Sequence, residues 1–100
     1  MRLGEATWNE VQTLVDNPVF EDGTRTPIVL VPVGSTEQHG PHLPMSTDTL
    51  IAEELVQRAT HLTNGLLVGP SLTVSASGEH AGFAGTLSIG TEVMTQVILE

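Results

Sequence analysis

Residues 27–34 read PIVLVPVG and carry the main sequence signal for the fold. The stretch is a continuous apolar, β-branched run rather than an alternating one, so both faces of the predicted strand would be apolar. Such a strand is typical of a parallel sheet that is flanked by helices. Pro32 removes one backbone donor, and we therefore place the end of the strand ladder there.

The residues that follow predict a strand–helix–strand unit. From 48 to 62 the apolar positions recur at helical spacing, and Asn64-Gly65 supplies a stop signal. The segment LLVGP at 66–70 is then predicted to be a second buried strand. The whole unit spans roughly 40 residues, which suits a βαβ motif. The expected fold class is therefore α/β with a mainly parallel sheet.

A helix is also predicted before this unit. Thr7 and Glu10 have the spacing of a capping box and would open a helix at 8–16. A polar turn is predicted at 21–24. The single tryptophan, Trp8, and the methionines are expected in the core.

The last third of the sequence predicts less regular structure. Residues 71–90 are glycine-rich and are expected to form loops with short strand pieces. A third helix is predicted to begin at Thr91. Up to Glu100 this helix has neither a C-cap nor a helix breaker, and its apolar face has no predicted partner. We therefore expect residues 1–100 to be the N-terminal portion of a single larger α/β domain.

The composition excludes several classes of function. Lys and Arg number 3 against 12 Asp and Glu, for a net charge of -9, so nucleic acid is not an expected partner. The absence of Cys excludes disulfides, thiolate nucleophiles and cysteine-ligated metals. No apolar run approaches the roughly 18 residues of a membrane helix, and the N-terminus lacks a secretory signal. A cytoplasmic protein without a membrane partner is expected.

The densest polar cluster lies between the first strand and its helix, at 34–48. Glu37 and His39 are two residues apart, so in extended backbone their side chains project to the same side. Asp48 lies at the predicted helix start, and the intervening glycines and prolines allow the chain to fold back. Two carboxylates and an imidazole suit Zn, Mn or Fe(II). Spacing alone also allows a solvated loop in which Asp48 is an ordinary helix N-cap.

The same residues resemble the signature of a known family. VGSTEQHGPHLP at 33–44, followed by Thr47-Asp48, is similar to the signature of the creatininase family of metal-dependent amidohydrolases. GFAGTLS at 82–88 resembles that family's Phe-Pro-Gly-Thr-x-Ser segment, with Ala84 in place of the proline. The resemblance implies a three-layer α/β/α fold with a mainly parallel sheet, and a homo-oligomer.

The resemblance also implies roles for individual residues. Glu37 would bind one divalent metal ion and His39 a second, with Asp48 bridging the two; the ions would be Zn, Fe or Mn. The resemblance also aligns Ser77 with a substrate-contacting position. From its own chemistry, His80 is a candidate polar contact to the substrate, and the alternative for the segment around both residues is a glycine-rich surface loop. His42 would either orient a ligand or be a polar loop residue. No catalytic residue is assigned, since the family completes its site with a later His-x-Glu pair that these 100 residues lack.

Within the family, SGEH at 77–80 and GTLSIGTE at 85–92 are most similar to the peptidase branch of the mycofactocin system. The expected function is metal-dependent hydrolysis of a C–N amide bond, removing a C-terminal dipeptide from the mycofactocin precursor peptide. One alternative is a creatininase-type amidohydrolase that acts on a small cyclic amide or a formamide. Another is a non-catalytic binding module, or an inactive fragment without the second half of the metal site.

Overall fold

The computed structural model describes residues 1–17 and 27–100. Its elements, in chain order, are a 3-10 helix (Leu3–Glu5), α1 (Trp8–Asp16), β1 (Ile28–Leu30), α2 (Thr47–Leu62), β2 (Leu66–Val68), a 3-10 helix (Gly78–His80) and α3 (Gly90–Leu99). The predicted α/β class is confirmed, and each predicted helix begins within one residue of its observed start. The polar turn predicted at 21–24 lies outside the described residues.

The two strands form the predicted parallel pair. Ile28 lies opposite Leu66, and Leu30 lies opposite Val68. Since α2 connects the two strands, the predicted βαβ order is confirmed. Both strands are shorter than the predicted runs. The ladder ends at Leu30, just before the fully buried Pro32, which has no amide hydrogen to donate.

The chain divides into two compact units. The first unit comprises Met1–Pro32 and Glu54–Pro70, and the second comprises Val33–Glu53 and Ser71–Glu100. In the described part of the first unit, the buried hydrophobic side chains are Leu67 and Val68. The second unit buries Met94 and a set of polar residues: Ser35, Glu37, Thr49 and Ser77.

Helix α1 begins at the predicted capping box. The backbone N–H of Thr7 donates to Glu10 Oε2 at 2.7 Å, and the N–H of Glu10 donates to Thr7 Oγ1 at 3.4 Å. The expected burial of Trp8 was wrong, because 76% of that residue is exposed. Its ring lines an open surface cavity of about 460 Å³ beside the N-terminal 3-10 helix. Helical spacing groups apolar residues on one face, but it does not determine what covers that face.

In helix α2, too, helical spacing of apolar residues does not imply burial. Leu55 and Leu62 are among the apolar positions that recur at helical spacing, yet they are 64% and 85% exposed. On the neighbouring surface, Arg58 Nε donates to Glu54 Oε1 at 2.7 Å, an ordinary i,i+4 pair. Across residues 1–17 and 27–100, no helix is both long and apolar enough to cross a membrane.

Candidate metal centre

A close backbone contact sets the position of the polar loop. A Cβ atom at Gly34 would lie 2.4 Å from the Thr49 Cα, so only glycine allows this approach. The buried Thr49 hydroxyl donates to the Ser35 carbonyl at 3.3 Å. Ser35 Oγ in turn donates to Asp48 Oδ2 at 2.5 Å. The residues after the first strand are therefore held against the first turn of α2.

The loop then folds back on itself, as its glycine and proline content predicts. Gly40 adopts a φ of 75°, a left-handed conformation that costs glycine little. The backbone N–H of Glu37 donates to the Met45 carbonyl at 3.1 Å. Thr47 Oγ1 donates to the Pro44 carbonyl at 2.6 Å, next to the start of α2. This reversal brings Glu37 toward Asp48.

A second segment, residues 86–87, is hydrogen-bonded to the loop. The backbone N–H of Leu87 donates to the Thr36 carbonyl at 2.9 Å. The backbone N–H of Gln38 donates to Thr86 Oγ1 at 3.1 Å. His80, at the end of the Gly78–His80 helix, thereby belongs to the same unit as the loop.

The structure brings the three predicted metal ligands together. Glu37, His39 and Asp48 each offer one ligand atom, and these atoms lie within 4.8 Å of one another. His39 Nε2 is 3.4 Å from Asp48 Oδ1, and His39 Nδ1 is 4.0 Å from Glu37 Oε1. Glu37 is buried, whereas His39 and Asp48 retain partial exposure. The cluster therefore combines one buried carboxylate with two side chains that solvent can reach.

These residues fit a divalent ion. Two ligand atoms that each lie about 2.1 Å from one ion can be at most about 4.2 Å apart, and the 3.4 Å between His39 Nε2 and Asp48 Oδ1 is within that limit. His39 Nδ1 is buried and has no hydrogen-bond partner in the described part of the chain. Buried polar atoms normally have a partner. Oxygen and nitrogen donors without sulfur suit Zn, Mn or Fe(II).

The electrostatics of Asp48 favour cation binding. The hydrogen bond donated by Ser35 holds the pKa of Asp48 below its usual value of 3.8. The nearby His39 and His80 imidazoles lower this pKa as well. Asp48 is therefore ionised at neutral pH, and a cation does not have to displace a proton from it.

The two predicted substrate contacts differ in their placement. His80 Nε2 lies 3.9 Å from Glu37 Oε1, and the His80 ring is parallel to that of His39, with centroids 6.3 Å apart. Ser77 is completely buried, and its hydroxyl forms no hydrogen bond within residues 1–17 and 27–100. His80 thus joins the cluster, whereas no hydrogen bond links the Ser77 hydroxyl to it.

Two supporting residues were missed by the sequence analysis. Ser35 holds Asp48, and Gln38 Oε1 lies 3.3 Å from His80 Nδ1. Both are polar residues inside the signature, which is the one signal that could have found them. His42 is exposed and, among the described residues, has no ion pair or hydrogen bond with the cluster.

Comparison with known proteins agrees with the signature. The family model described as creatinine amidohydrolase matches residues 4–100. A mycofactocin precursor peptide peptidase of Mycolicibacterium smegmatis is 49% identical over 98% of this chain. The peptidase of the same name from Mycobacterium ulcerans is 48% identical over 74% of it. This chain spans 37% and 33% of those two proteins, about a third of their length.

Solved structures give the same assignment. A crystal structure of creatinine amidohydrolase (creatininase) matches 96% of this chain with a TM-score of 0.78 and 32% identity, and 36% of its own length is covered. Other matching creatininase structures are described as a Mn form and a Zn–Zn form. The signature loop, the parallel βαβ unit and these similarities converge on one conclusion: the chain belongs to the creatininase family.

Proposed function

We propose that this chain acts as a metal-dependent hydrolase of C–N amide bonds. The observation that carries the proposal is the convergence of ligand atoms from Glu37, His39 and Asp48 to within 4.8 Å. Membership of an amidohydrolase family supports it, as do the Zn–Zn and Mn forms of two related creatininase structures.

In this proposal two divalent ions are held at the cluster. Glu37 would hold one ion and His39 the other, with Asp48 shared between them. The 3.4 Å separation of His39 Nε2 and Asp48 Oδ1 supports a shared ion. Such ions, when bound, polarise an amide carbonyl and activate water.

The remaining residues position these groups and the substrate. Ser35 orients the Asp48 carboxylate through its hydrogen bond. Ser77 and His80 are proposed to contact the substrate. The Ser77 hydroxyl has no hydrogen-bond partner among the described residues, but because it is completely buried, a substrate would reach it only after the surrounding segment moves. The partial exposure of the His80 side chain, 29%, supports access to a ligand.

We further propose that the substrate is a peptide that loses its C-terminal dipeptide. Support comes from the peptidase name of two relatives that are 48% and 49% identical. A small cyclic amide is the second candidate, which the similarity to a creatinine amidohydrolase structure supports. The proposed substrate would be the mycofactocin precursor peptide.

Metal binding is the first test. Zn, Mn or Fe(II) is titrated calorimetrically into chelator-treated protein, and we expect Glu37→Gln and Asp48→Asn to weaken binding at least about tenfold. Glu54→Gln is the matched control, because Glu54 is exposed on α2 and pairs with Arg58. Equal affinity of Glu37→Gln and the unaltered protein would contradict the ligand assignment.

Hydrolysis is the second test. The metal-loaded protein is incubated with a mycofactocin precursor peptide and, separately, with creatinine, and the products are measured by mass spectrometry. We expect dipeptide release that disappears with chelator and returns with metal. Ring opening of creatinine alone would favour the second candidate. Metal binding without hydrolysis of either compound would indicate a binding module instead.

A further inference from the structure

The hydroxyl of Thr86 contacts the backbone between two of the proposed metal ligands. Thr86 Oγ1 accepts a hydrogen bond from the Gln38 N–H at 3.1 Å. Gln38 is the one residue between Glu37 and His39. The directions in which two side chains project depend on the backbone conformation of the residue that separates them. A hydrogen bond at the Gln38 amide therefore acts on the relative direction of both ligands.

The neighbouring backbone hydrogen bonds of this loop join main-chain groups. The Leu87 N–H donates to the Thr36 carbonyl at 2.9 Å, and the Glu37 N–H donates to the Met45 carbonyl at 3.1 Å. The acceptor for the Gln38 N–H, by contrast, belongs to a side chain. A single substitution can therefore remove this hydrogen bond while the groups that form the neighbouring ones stay present.

Thr86 is itself held against the loop. Its N–H donates to the Phe83 carbonyl at 3.3 Å. The preceding Gly85 has a φ of 87°, a left-handed conformation that favours glycine. A Cβ atom at Gly85 would lie 3.2 Å from Met45 Cε, so the two segments are in close contact there. Without the Thr86 hydroxyl, the Gln38 amide would lose its acceptor at a partly buried site, which is unfavourable.

We propose that Thr86 is a positioning residue for the metal centre, and that its hydroxyl fixes the Gln38 backbone so that the Glu37 and His39 side chains converge. The inference rests on the proposed metal site and deepens it. Thr86 touches neither metal nor substrate in this role, because it acts through the Gln38 amide. Partners that hold metal ligands in place raise metal affinity, and their loss typically weakens it about 10- to 100-fold.

Calorimetric titration of Zn into chelator-treated protein tests this role. We expect Thr86→Val, which keeps the shape of the side chain but lacks the hydroxyl, to weaken Zn binding about tenfold. Thr86→Ser keeps the acceptor and should retain most of the affinity. The matched control is Thr95→Val, because the Thr95 hydroxyl donates to the Thr91 carbonyl at 2.8 Å on the exposed surface of α3. Zn binding of equal affinity in Thr86→Val and Thr86→Ser would overturn the inference.

A second measurement uses the unaltered protein and so does not depend on the folding of a variant. Coupling between two equilibria is reciprocal, so bound Zn should favour the Gln38 hydrogen bond by the factor by which that bond favours Zn binding. We expect Zn to slow hydrogen exchange of the Gln38 amide about tenfold, as followed by NMR. The Ile28 amide, which donates to the Gly65 carbonyl in the first unit, should change less. If Zn binds without protecting the Gln38 amide, the inference is overturned.

Failure of the inference can be told apart from failure of the proposed function. If metal binds but no amide is hydrolysed, the proposed function fails and the Zn affinities still decide the inference. If the unaltered protein binds none of Zn, Mn and Fe(II), the proposed metal site fails. The NMR signals of the Glu37 amide and the His39 ring in metal-free protein then decide: displacement in Thr86→Val but not in Thr86→Ser supports the positioning role, and unchanged signals overturn it.

Discussion

The two units of the chain differ in what they bury. The first unit buries the apolar side chains of β2, Leu67 and Val68. The second buries polar side chains, among them Ser35 and Thr49, whose hydroxyls donate hydrogen bonds to Asp48 and to the Ser35 carbonyl. Apolar burial stabilises with little demand on geometry, whereas a buried polar group destabilises the fold unless its hydrogen bonds are made. The stability of the second unit therefore depends on close contacts and hydrogen bonds at defined positions. A binding site has the same requirement.

The largest loss of stability is expected when one methyl group is added to the second unit. Gly34→Ala places a carbon 2.4 Å from the Thr49 Cα, and neither backbone can yield without moving the loop. We expect a loss of more than about 3 kcal/mol of unfolding free energy, beyond the usual range for overpacked sites. Urea unfolding measures it. Gly4→Ala is the control, since a Cβ there meets no atom within 4 Å; equal effects of the two would contradict the packing argument.

The corresponding change in the first unit removes apolar volume. Leu67 is 4% exposed, and we expect Leu67→Ala to cost about 2 to 3 kcal/mol, through lost transfer free energy and a residual cavity. Urea unfolding again provides the measurement. Leu62→Ala, at a residue that is 85% exposed, should change stability by less than about 0.5 kcal/mol. A similar loss in both variants would show that burial does not account for the difference.

A smaller change in stability is expected from the buried serine of the second unit. The Ser77 hydroxyl is buried without a partner among the described residues, so Ser77→Ala should leave stability unchanged or raise it by up to about 1 kcal/mol. Ser88→Ala should instead destabilise, because Ser88 Oγ accepts from the Ser77 N–H at 3.0 Å. Thermal unfolding compares the two. Clear destabilisation by Ser77→Ala would indicate a structural role for its hydroxyl.

The smallest effect concerns the exposed cap of α1. The pKa of Glu10 is held below its usual 4.5, first by the backbone N–H of Thr7 and then by the Thr7 hydroxyl. Because the folded-state pKa is lowered, this stabilisation is present above pH 4.5 and is lost as the pH falls through the lower folded value. As the pH is lowered, the urea midpoint of Glu10→Gln should therefore fall less than that of the unaltered protein. Thr7→Ala, which keeps the backbone donor, should fall between the two; an unchanged acid dependence in Glu10→Gln would contradict the linkage.

Local order was predictable from the sequence. Helix α1 and its capping box follow from Thr7 and Glu10, and the parallel βαβ unit follows from apolar runs and periodicity. The convergence of Glu37 and His39 follows from their alternate spacing in a loop that can reverse. The signature then identified the family, which the comparisons confirm.

What could not be predicted depends on contacts between residues distant in sequence. The exposure of Trp8 depends on what packs beside α1, which helical periodicity does not specify. Gln38 reaches His80 across 42 positions of sequence, and no local pattern encodes that distance. The assignment of residues 1–100 to the N-terminal portion of one larger domain stays a prediction, as does the role of His42.

Pro32 has a consequence for amide hydrogen exchange. It is the last residue of the Met1–Pro32 stretch, and it contributes no exchangeable amide of its own. On one side, the Ile28 amide donates to the Gly65 carbonyl at 2.9 Å within the first unit. On the other, the Gly34 amide donates to the Leu72 carbonyl at 2.8 Å within the second. The exchange rate of the Ile28 amide would therefore report local opening of the first unit, and that of the Gly34 amide would report local opening of the second. Pro32, which has no amide hydrogen, lies between them.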